Sequence, residues 1–531
     1  MDTRNTHGGE RDTREVTEQT ERTARGGGGR RLAAFKALAL LALMGVTLYG
    51  TLRGGLYFEE AWLPVAAGIL ALSLLTLLVR GYYARVPKIG WVLVALLGAL
   101  VFVKGISLAW TIGESLTIRE LLRSAMYLAT FAISLAAISY RNQIEPIVDG
   151  LFLVILPVAG YGLLQKVDPV RFPIESVSPG RIGSTLDYAN TFALVVALGI
   201  MLGLARLGSL ANPLARGLYA ALTLCLCVAL FFTFSRGGFL SLGLGLLLFF
   251  AVGGNRLQSF ANLLLLSAPL LWLLYRTRSH EALYQEVVQD RAATAAGDAF
   301  LVDLIVAAVV AFLLQAVYAW VAGRHGVSRR ARKLLGAGAV AAVVLLCGVG
   351  GYMAFVSGSG GDSSAPSAGQ EASGGLQQRL TSLDSLRYAY WKVGLQAWRE
   401  NPLTGTGAGT FQYTWLQERP IDAGVNQVHN LYLEQGTETG IFAFAAMAGF
   451  AAVLALYTAV SALRVTGGGA GEGGESSRTL LAGLSGAVAV YLFSSALEWH
   501  WYIPASTLLF FILAAVAVKH ASLQSSRKPR A

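Results

Sequence analysis

The sequence is a succession of apolar runs separated by short polar breaks, and each run is about as long as a membrane's hydrocarbon is thick. Crossing ~30 Å of lipid takes roughly 20 helical residues, with roughly 17 to 25 as the working range. Water does not reach the backbone there, so every N–H and C=O must be satisfied internally, and continuous runs of this length select helices. About fourteen runs qualify, centred near residues 41, 70, 98, 130, 156, 197, 225, 245, 266, 310, 346, 450, 488 and 510. The stretch 218–252 is too long for one crossing and divides at Ser235-Arg236-Gly237. The expected fold is all-α, a polytopic membrane protein with about 12–14 transmembrane helices. A charged fraction of only 14% agrees, since soluble domains carry nearer a quarter.

The net charge of +11 points at first to nucleic acid, but the bases are not spread as such a surface requires. They gather in alternate short loops, as the positive-inside rule demands of cytoplasmic connections. With the N-terminal tail inside, these loops are 80–88, 140–143, 206–216, 253–256, 323–333, 464–478 and the end after Lys519. Arg329, Arg330, Arg332 and Lys333 crowd one of them. Both termini are then cytoplasmic, and 166–187, the Arg236 turn, 276–298 and 357–435 lie outside.

Residues 1–31 mix both signs of charge around Gly26 to Gly29 and read as a disordered cytoplasmic tail, with no cleavable signal peptide. The remaining divisions are transmembrane helices over 32–356, a large extracytoplasmic loop over 357–436, transmembrane helices over 437–518 and a cytoplasmic tail over 519–531. Cys225, Cys227 and Cys347 sit inside apolar runs and read as small buried hydrophobes rather than metal ligands or a disulfide framework.

The loop 357–436 is polar, aromatic and punctuated by glycine, and loops beyond about 15 residues are functional or disordered. Its first part, 358–375, is Gly/Ser-rich and flexible. Further on, Leu386, Tyr390, Val393 and Ala397 recur at helical spacing, widened by Trp391, Leu395 and Trp398. Asn401-Pro402 stops this helix, and Gly405, Gly407 and Gly409 make turns. A short amphipathic helix at the outer membrane surface, followed by a tight loop, is expected. G-T-G-A-G-T at 405–410 has the composition of a phosphate loop but lacks its lysine, so it reads as a turn.

Three basic residues fall on the outer side. Arg181 precedes a spanning run, Arg236 occupies a sharp turn between two apolar runs, and His429 sits where the large loop re-enters the membrane. Arginine beside hydrocarbon is costly, which marks it as functional, against the plainer role of an interfacial anchor. Two guanidinium groups can clamp a diphosphate through planar, bidentate bonds and stabilise its departure without a metal. Histidine is suited to accept a hydroxyl proton near neutral pH. Glu434 and Glu438 can orient the histidine or the acceptor, or act only as acidic charge at a helix N-terminus. No Asp-x-Asp pair suggests a metal-bound nucleotide sugar, so neither metal nor cofactor is expected. The cluster Glu498, Trp499, His500, Trp501 and Tyr502 reads first as an interfacial aromatic belt and second as a sugar-contacting surface.

Four stretches in order resemble the O-antigen ligase and polymerase-like superfamily of bacterial membrane glycosyltransferases. They are Arg181 to Asn190, the Ser-Arg-Gly turn at Ser235 to Gly237, the Arg/Trp helix leading to Asn-Pro-Leu-x-Gly-x-Gly at Arg387 to Gly407, and His-Asn-x-Tyr-Leu with Glu-x-Gly at His429 to Gly436. The resemblance covers about residues 120 to 515; Ala189 stands where the family usually has proline, and the Gly-rich insert has no counterpart. It implies a GT-C-like helical bundle and metal-independent transfer of a glycan from undecaprenyl diphosphate to a glycolipid, glycan or protein acceptor. The transfer would take place on the outer side of the bacterial cytoplasmic membrane. It further implies catalytic roles for Arg181, Arg236 and His429, and substrate contacts from Asn190, Arg387, Trp391, Asn430, Tyr432, Glu434 and Glu438. The alternatives are a glycan repeat-unit polymerase and, from a different class, a transporter, for example of inorganic carbon. A transporter should carry ionisable groups at mid-membrane; Lys104 and Asp303 are the main ones here.

Overall fold

A computed structural model describes residues 8–174, 180–284, 291–322, 386–465 and 472–525. The apolar run near 346 with Cys347, the bases at 329–333 and the stretch 358–375 lie outside these residues. Among the described residues the regular elements are helical, with no strand. In chain order they are α1 (Gly8–Thr51), α2 (Glu59–Leu78), α3 (Lys88–Ile106), α4 (Glu114–Ala137), α5 (Ile144–Val167), α6 (Ala189–Ser209), α7 (Pro213–Phe232) and α8 (Arg236–Val252). There follow α9 (Arg256–Thr277), α10 (Arg291–Ala322), α11 (Arg387–Glu400), α12 (Phe411–Glu418), α13 (Leu431–Arg464), α14 (Glu472–Ser494) and α15 (Pro504–Ser525).

Twelve of these helices are long and apolar enough to cross a membrane. With the 17-residue α8 they account for every apolar run of the sequence except the one near 346. The division of 218–252 falls where expected, between Phe232 and Arg236. Helix α1 begins at Gly8, inside the segment read as a tail. Cys225 and Cys227 are half-buried and unpaired, packed against the core.

The centre of the bundle is α6, buried along nearly its whole length, with α15 almost equally enclosed. Small residues let backbones approach closely where lipid supplies no hydrophobic drive between helices. A Cβ on Gly199 would meet Leu226 of α7 and Ile155 of α5, and one on Gly486 of α14 would meet Met201 of α6. Helices α2, α3, α9 and α10 instead turn large apolar side chains outward, among them Leu77, Phe102, Leu271 and Val302.

Among the described residues, connections between helices meet one another at two ends of the bundle. At one end Thr185 Oγ1 donates to Thr51 O at 2.6 Å, Ile182 N to Phe232 O at 3.2 Å, and Leu431 N to Ser495 O at 2.8 Å. Lys166 Nζ donates there to Gly180 O at 3.0 Å and Leu283 O at 2.7 Å. At the other end Lys519 Nζ reaches Arg85 O at 2.6 Å and Arg478 Nε reaches Val252 O at 2.8 Å.

The bundle interior holds more charge than the sequence suggested. Lys104 is fully buried, with Nζ 3.3 Å from Glu120 of α4; Glu120 also pairs with Arg123, whose guanidinium lies over the rings of Trp62 and Tyr502. Glu120 and Arg123 give no signal in the sequence, because α4 is polar enough to look merely amphipathic. Asp303 is paired with Arg276 at 3.3 Å.

The amphipathic helix of the large loop is α11. Tyr390, Val393 and Ala397 form its buried face, but Leu395 is 39% exposed, so the apolar stripe is narrower than read. Tyr390, Val393, Phe411, Trp415 and Val428 make a small separate core linking α11, α12 and the segment before α13.

Candidate active site

Three of the residues expected to act on substrate, Arg181, Asn190 and Arg387, meet around a carboxylate. Glu498, in the connection between α14 and α15, is 3% exposed. Its Oε1 accepts from Asn190 Nδ2 at 2.7 Å and pairs with Arg387 at the start of α11; its Oε2 accepts from the Tyr188 hydroxyl at 2.7 Å. Asn190 passes the network on, because its Oδ1 accepts from Arg181 at 2.6 Å and from Ser235 Oγ at 2.9 Å. Arg181 is further held by Nε donating to Thr233 O at 2.7 Å. Three stretches distant in sequence, 181–190, 233–235 and the start of α11, are thus tied to one acidic side chain.

Charge explains how Glu498 is tolerated. Burial pushes its carboxyl up, but Arg387, His429 and His500 together with the Tyr188 hydroxyl hold it below the usual carboxylate value. Burial, with Glu498 beside it, raises the Tyr188 phenol. His500 is pushed down to about 4 by burial, the nearby Glu498 opposing, and its ring is held between Thr191 Oγ1 at 2.9 Å and Ser494 Oγ at 2.7 Å.

Arg236 is the first residue of α8, half-buried. Its N-cap Ser235 accepts from Gly238 N at 3.2 Å while donating to Asn190, which fixes the turn against the network. An arginine at a helix N-terminus faces the positive end of the dipole, an arrangement an anion there would relieve. The backbone is strained at the same places: Phe234, Ser184, Asp187 and His429 hold φ of 47°, 54°, 53° and 59°. Left-handed non-glycine residues cost about 1–3 kcal/mol each and gather at functional sites.

His429 lies beside this network, its ring 5.2 Å from that of Tyr390 and 6.1 Å from that of Trp499. Its Nδ1 is 3.1 Å from Gln427 O. A carbonyl only accepts, so in the neutral imidazole Nδ1 carries the proton and Nε2 has the lone pair. Trp391 Nε1 donates to His429 O at 3.4 Å and steadies the same backbone.

The other expected contacts turn inward. Asn430 caps α13, its Oδ1 accepting from Tyr432 N and Leu433 N at 3.1 Å, and the Tyr432 hydroxyl donates to Leu492 O at 3.0 Å. Glu434 accepts from Val428 N at 3.3 Å, fixing the residue before His429. Glu438 accepts from Gly409 N at 2.7 Å and Phe411 N at 3.2 Å. Gly405, Gly407 and Gly409 all take positive φ here, and at Gly405 a Cβ would collide with the Glu438 backbone. The glycine segment is a turn clamped onto α13.

Glu498 is the residue that sequence reasoning placed wrongly. Its neighbours His500, Trp501 and Tyr502 are 0%, 2% and 7% exposed, so the cluster is not a lipid-facing belt. One signal was available: an acid in so aromatic a segment has no reason to sit at a lipid interface unless a base meets it.

Residues 299–448 match the family model described as O-Antigen ligase. The match takes in Arg387 and His429, while Arg181, Arg236 and Glu498 lie outside it. No curated protein matches the chain.

Proposed function

We propose, for a multi-pass membrane protein of the O-antigen ligase and polymerase type, that the reaction is glycan transfer from undecaprenyl diphosphate to an acceptor hydroxyl on the outer side of the cytoplasmic membrane. The observation that carries this reading is the network on Glu498, which joins Arg181, Asn190, the Ser235–Arg236 turn and Arg387 beside His429. In the reaction, Nε2 of His429 takes the acceptor proton as the oxygen attacks the anomeric carbon, and the bond from that carbon to the diphosphate oxygen breaks. Arg181 and Arg236 stabilise the charge that collects on the departing diphosphate, a contribution that is large in a site poor in water. Asn190 and Glu498 act through Arg181 and Arg387, holding them in place.

A lipid-linked donor suits the surroundings. An apolar groove of about 540 Å3, lined by Phe231, Leu271, Leu274, Tyr275, Arg278 and Tyr284, borders the Arg236 turn. Phe231 and Tyr284 both pack on Phe234, two residues before Arg236. Each short connection assigned to the opposite end carries a base, which supports an outward-facing site with both termini cytoplasmic.

The test is purified protein in vesicles carrying undecaprenyl-diphosphate-linked glycan, with release of undecaprenyl diphosphate followed as acceptors are added. Acceptor-dependent release is expected. Release with donor alone, accompanied by lengthening of the glycan, identifies a polymerase instead, and no release with any acceptor would sink the transferase reading.

A further inference from the structure

The proposed reaction leaves one group of side chains unused. The Trp499 ring lies 5.5 Å from that of Tyr57, 4.8 Å from that of Tyr188 and 6.1 Å from that of His429. Tyr57 comes from the connection between α1 and α2, so the group is assembled from the two ends of the sequence. A lipid belt does not explain it, because the residues on both sides of Trp499 are buried in protein and its ring faces other aromatic rings at the site. Core packing explains it only in part, although Trp499 does pack against the main core. Trp501, two residues on, is 2% exposed, whereas Trp499 is half-buried and Tyr57 is 37% exposed. None of the hydrogen bonds among the described residues uses the Trp499 indole N–H.

Partly exposed aromatic rings set at 70° to one another beside a general base, with a spare N–H donor, suit a sugar ring. The C–H bonds on one face of a pyranose are weakly positive and pack on the negative face of an indole, while ring-edge hydroxyls take polar donors. Resting on the transferase reading above, we propose that Trp499 and Tyr57 form a stacking platform for a sugar ring of the acceptor, which sets one of its hydroxyls against His429 Nε2. The acceptor oxygen then belongs to a glycan and not to a protein side chain.

Two measurements separate this proposal from its premise. The first is saturation-transfer NMR on detergent-solubilised protein with maltotriose, a soluble neutral oligosaccharide. Saturation should pass from aromatic protons to pyranose C–H protons in wild type and in Trp499→Phe, and fall roughly tenfold in Trp499→Leu, the loss of about one ring-stacking interaction. Tyr57→Leu, at an exposed position, should weaken the signal less and guards against misfolding of the Trp499 variants. No wild-type signal, or an equal signal in Trp499→Leu, overturns the platform.

The second uses the vesicle assay with digalactosyl diacylglycerol or phosphatidylglycerol as acceptor. Transfer to the sugar lipid alone, with acceptor KM raised in Trp499→Leu and donor KM unchanged, is expected. Equal transfer to the glycerol headgroup overturns the proposal while leaving the transferase standing. A sugar signal by NMR without transfer to any acceptor sinks the transferase and leaves the binding platform.

Discussion

Replacing Glu498 with glutamine keeps the shape of the side chain and removes the charge on which the site converges. Oε1 receives Asn190 Nδ2 at 2.7 Å and the Arg387 guanidinium, and Oε2 receives the Tyr188 hydroxyl at 2.7 Å. Glutamine has one accepting oxygen, so its NH2 must face a group that donates in the native protein. If the oxygen stays toward Asn190 and Arg387, the NH2 meets Tyr188, whose proton must turn elsewhere. Breaking a fully buried ion pair costs about 3–5 kcal/mol, but the Arg387 side chain is 30% exposed and keeps part of its hydration. We therefore expect a loss of about 2 kcal/mol in stability.

The rate should suffer more than the stability. Arg387 loses its charge partner, and Asn190, which positions Arg181, loses a charged acceptor. Misplacing one preorganised electrostatic group costs about 10²–10³ in turnover. Initial rates of undecaprenyl diphosphate release in vesicles, with thermal unfolding in detergent on the same samples, measure both. Glu498→Asp, which keeps the charge on a shorter arm, should fall between. Wild-type turnover in Glu498→Gln would overturn this role, because Glu498 is the buried carboxylate that pairs with Arg387.

Other expectations follow from the same geometry. Arg236→Lys keeps a positive charge but loses the guanidinium fork, and turnover should drop by about 10–100-fold; full activity would remove the bidentate diphosphate role. Gly405→Ala should lower the unfolding temperature through a loss of about 2–4 kcal/mol, since φ is 61° and the Cβ meets the Glu438 backbone. Gly424→Ala, where nothing lies within 4 Å, is the control that should change little. Acid should destabilise the fold through His500. Its value is about 4 in the folded protein against 6.5 normally, so the unfolded chain takes up the proton first as pH falls from 6.5 towards 4. The loss is on the order of 3 kcal/mol, and His500→Gln should flatten that part of the stability profile; an unchanged slope would contradict it.

Much of this architecture could be read from the sequence because hydrocarbon imposes a length on every crossing. The break at Ser235 was legible for that reason, since 218–252 exceeds one helix. Arg181 and Arg236 stood out because a lone arginine beside lipid needs a reason. What stayed hidden depends on distance. Asn190 and Glu498 bond across 308 residues, and nothing local tells a buried aromatic segment from an interfacial one. Glu434 and Glu438 were legible as acids near a helix start, yet their side chains hold backbone N–H groups, a choice set by which loop packs above them. Glu120 and Arg123 were obscured likewise, because only the pairing of Glu120 with both Lys104 and Arg123 shows that their face of α4 is buried.

The most direct test of the central claim is single-turnover transfer by His429→Ala, with donor binding measured on the same vesicles. The donor is expected still to bind, because Arg181 and Arg236 are untouched, while transfer falls by about 10²–10⁴, the worth of a general base. Transfer at the wild-type rate would show that the imidazole takes no proton, and the assignment of this site as the place of transfer would fall with it.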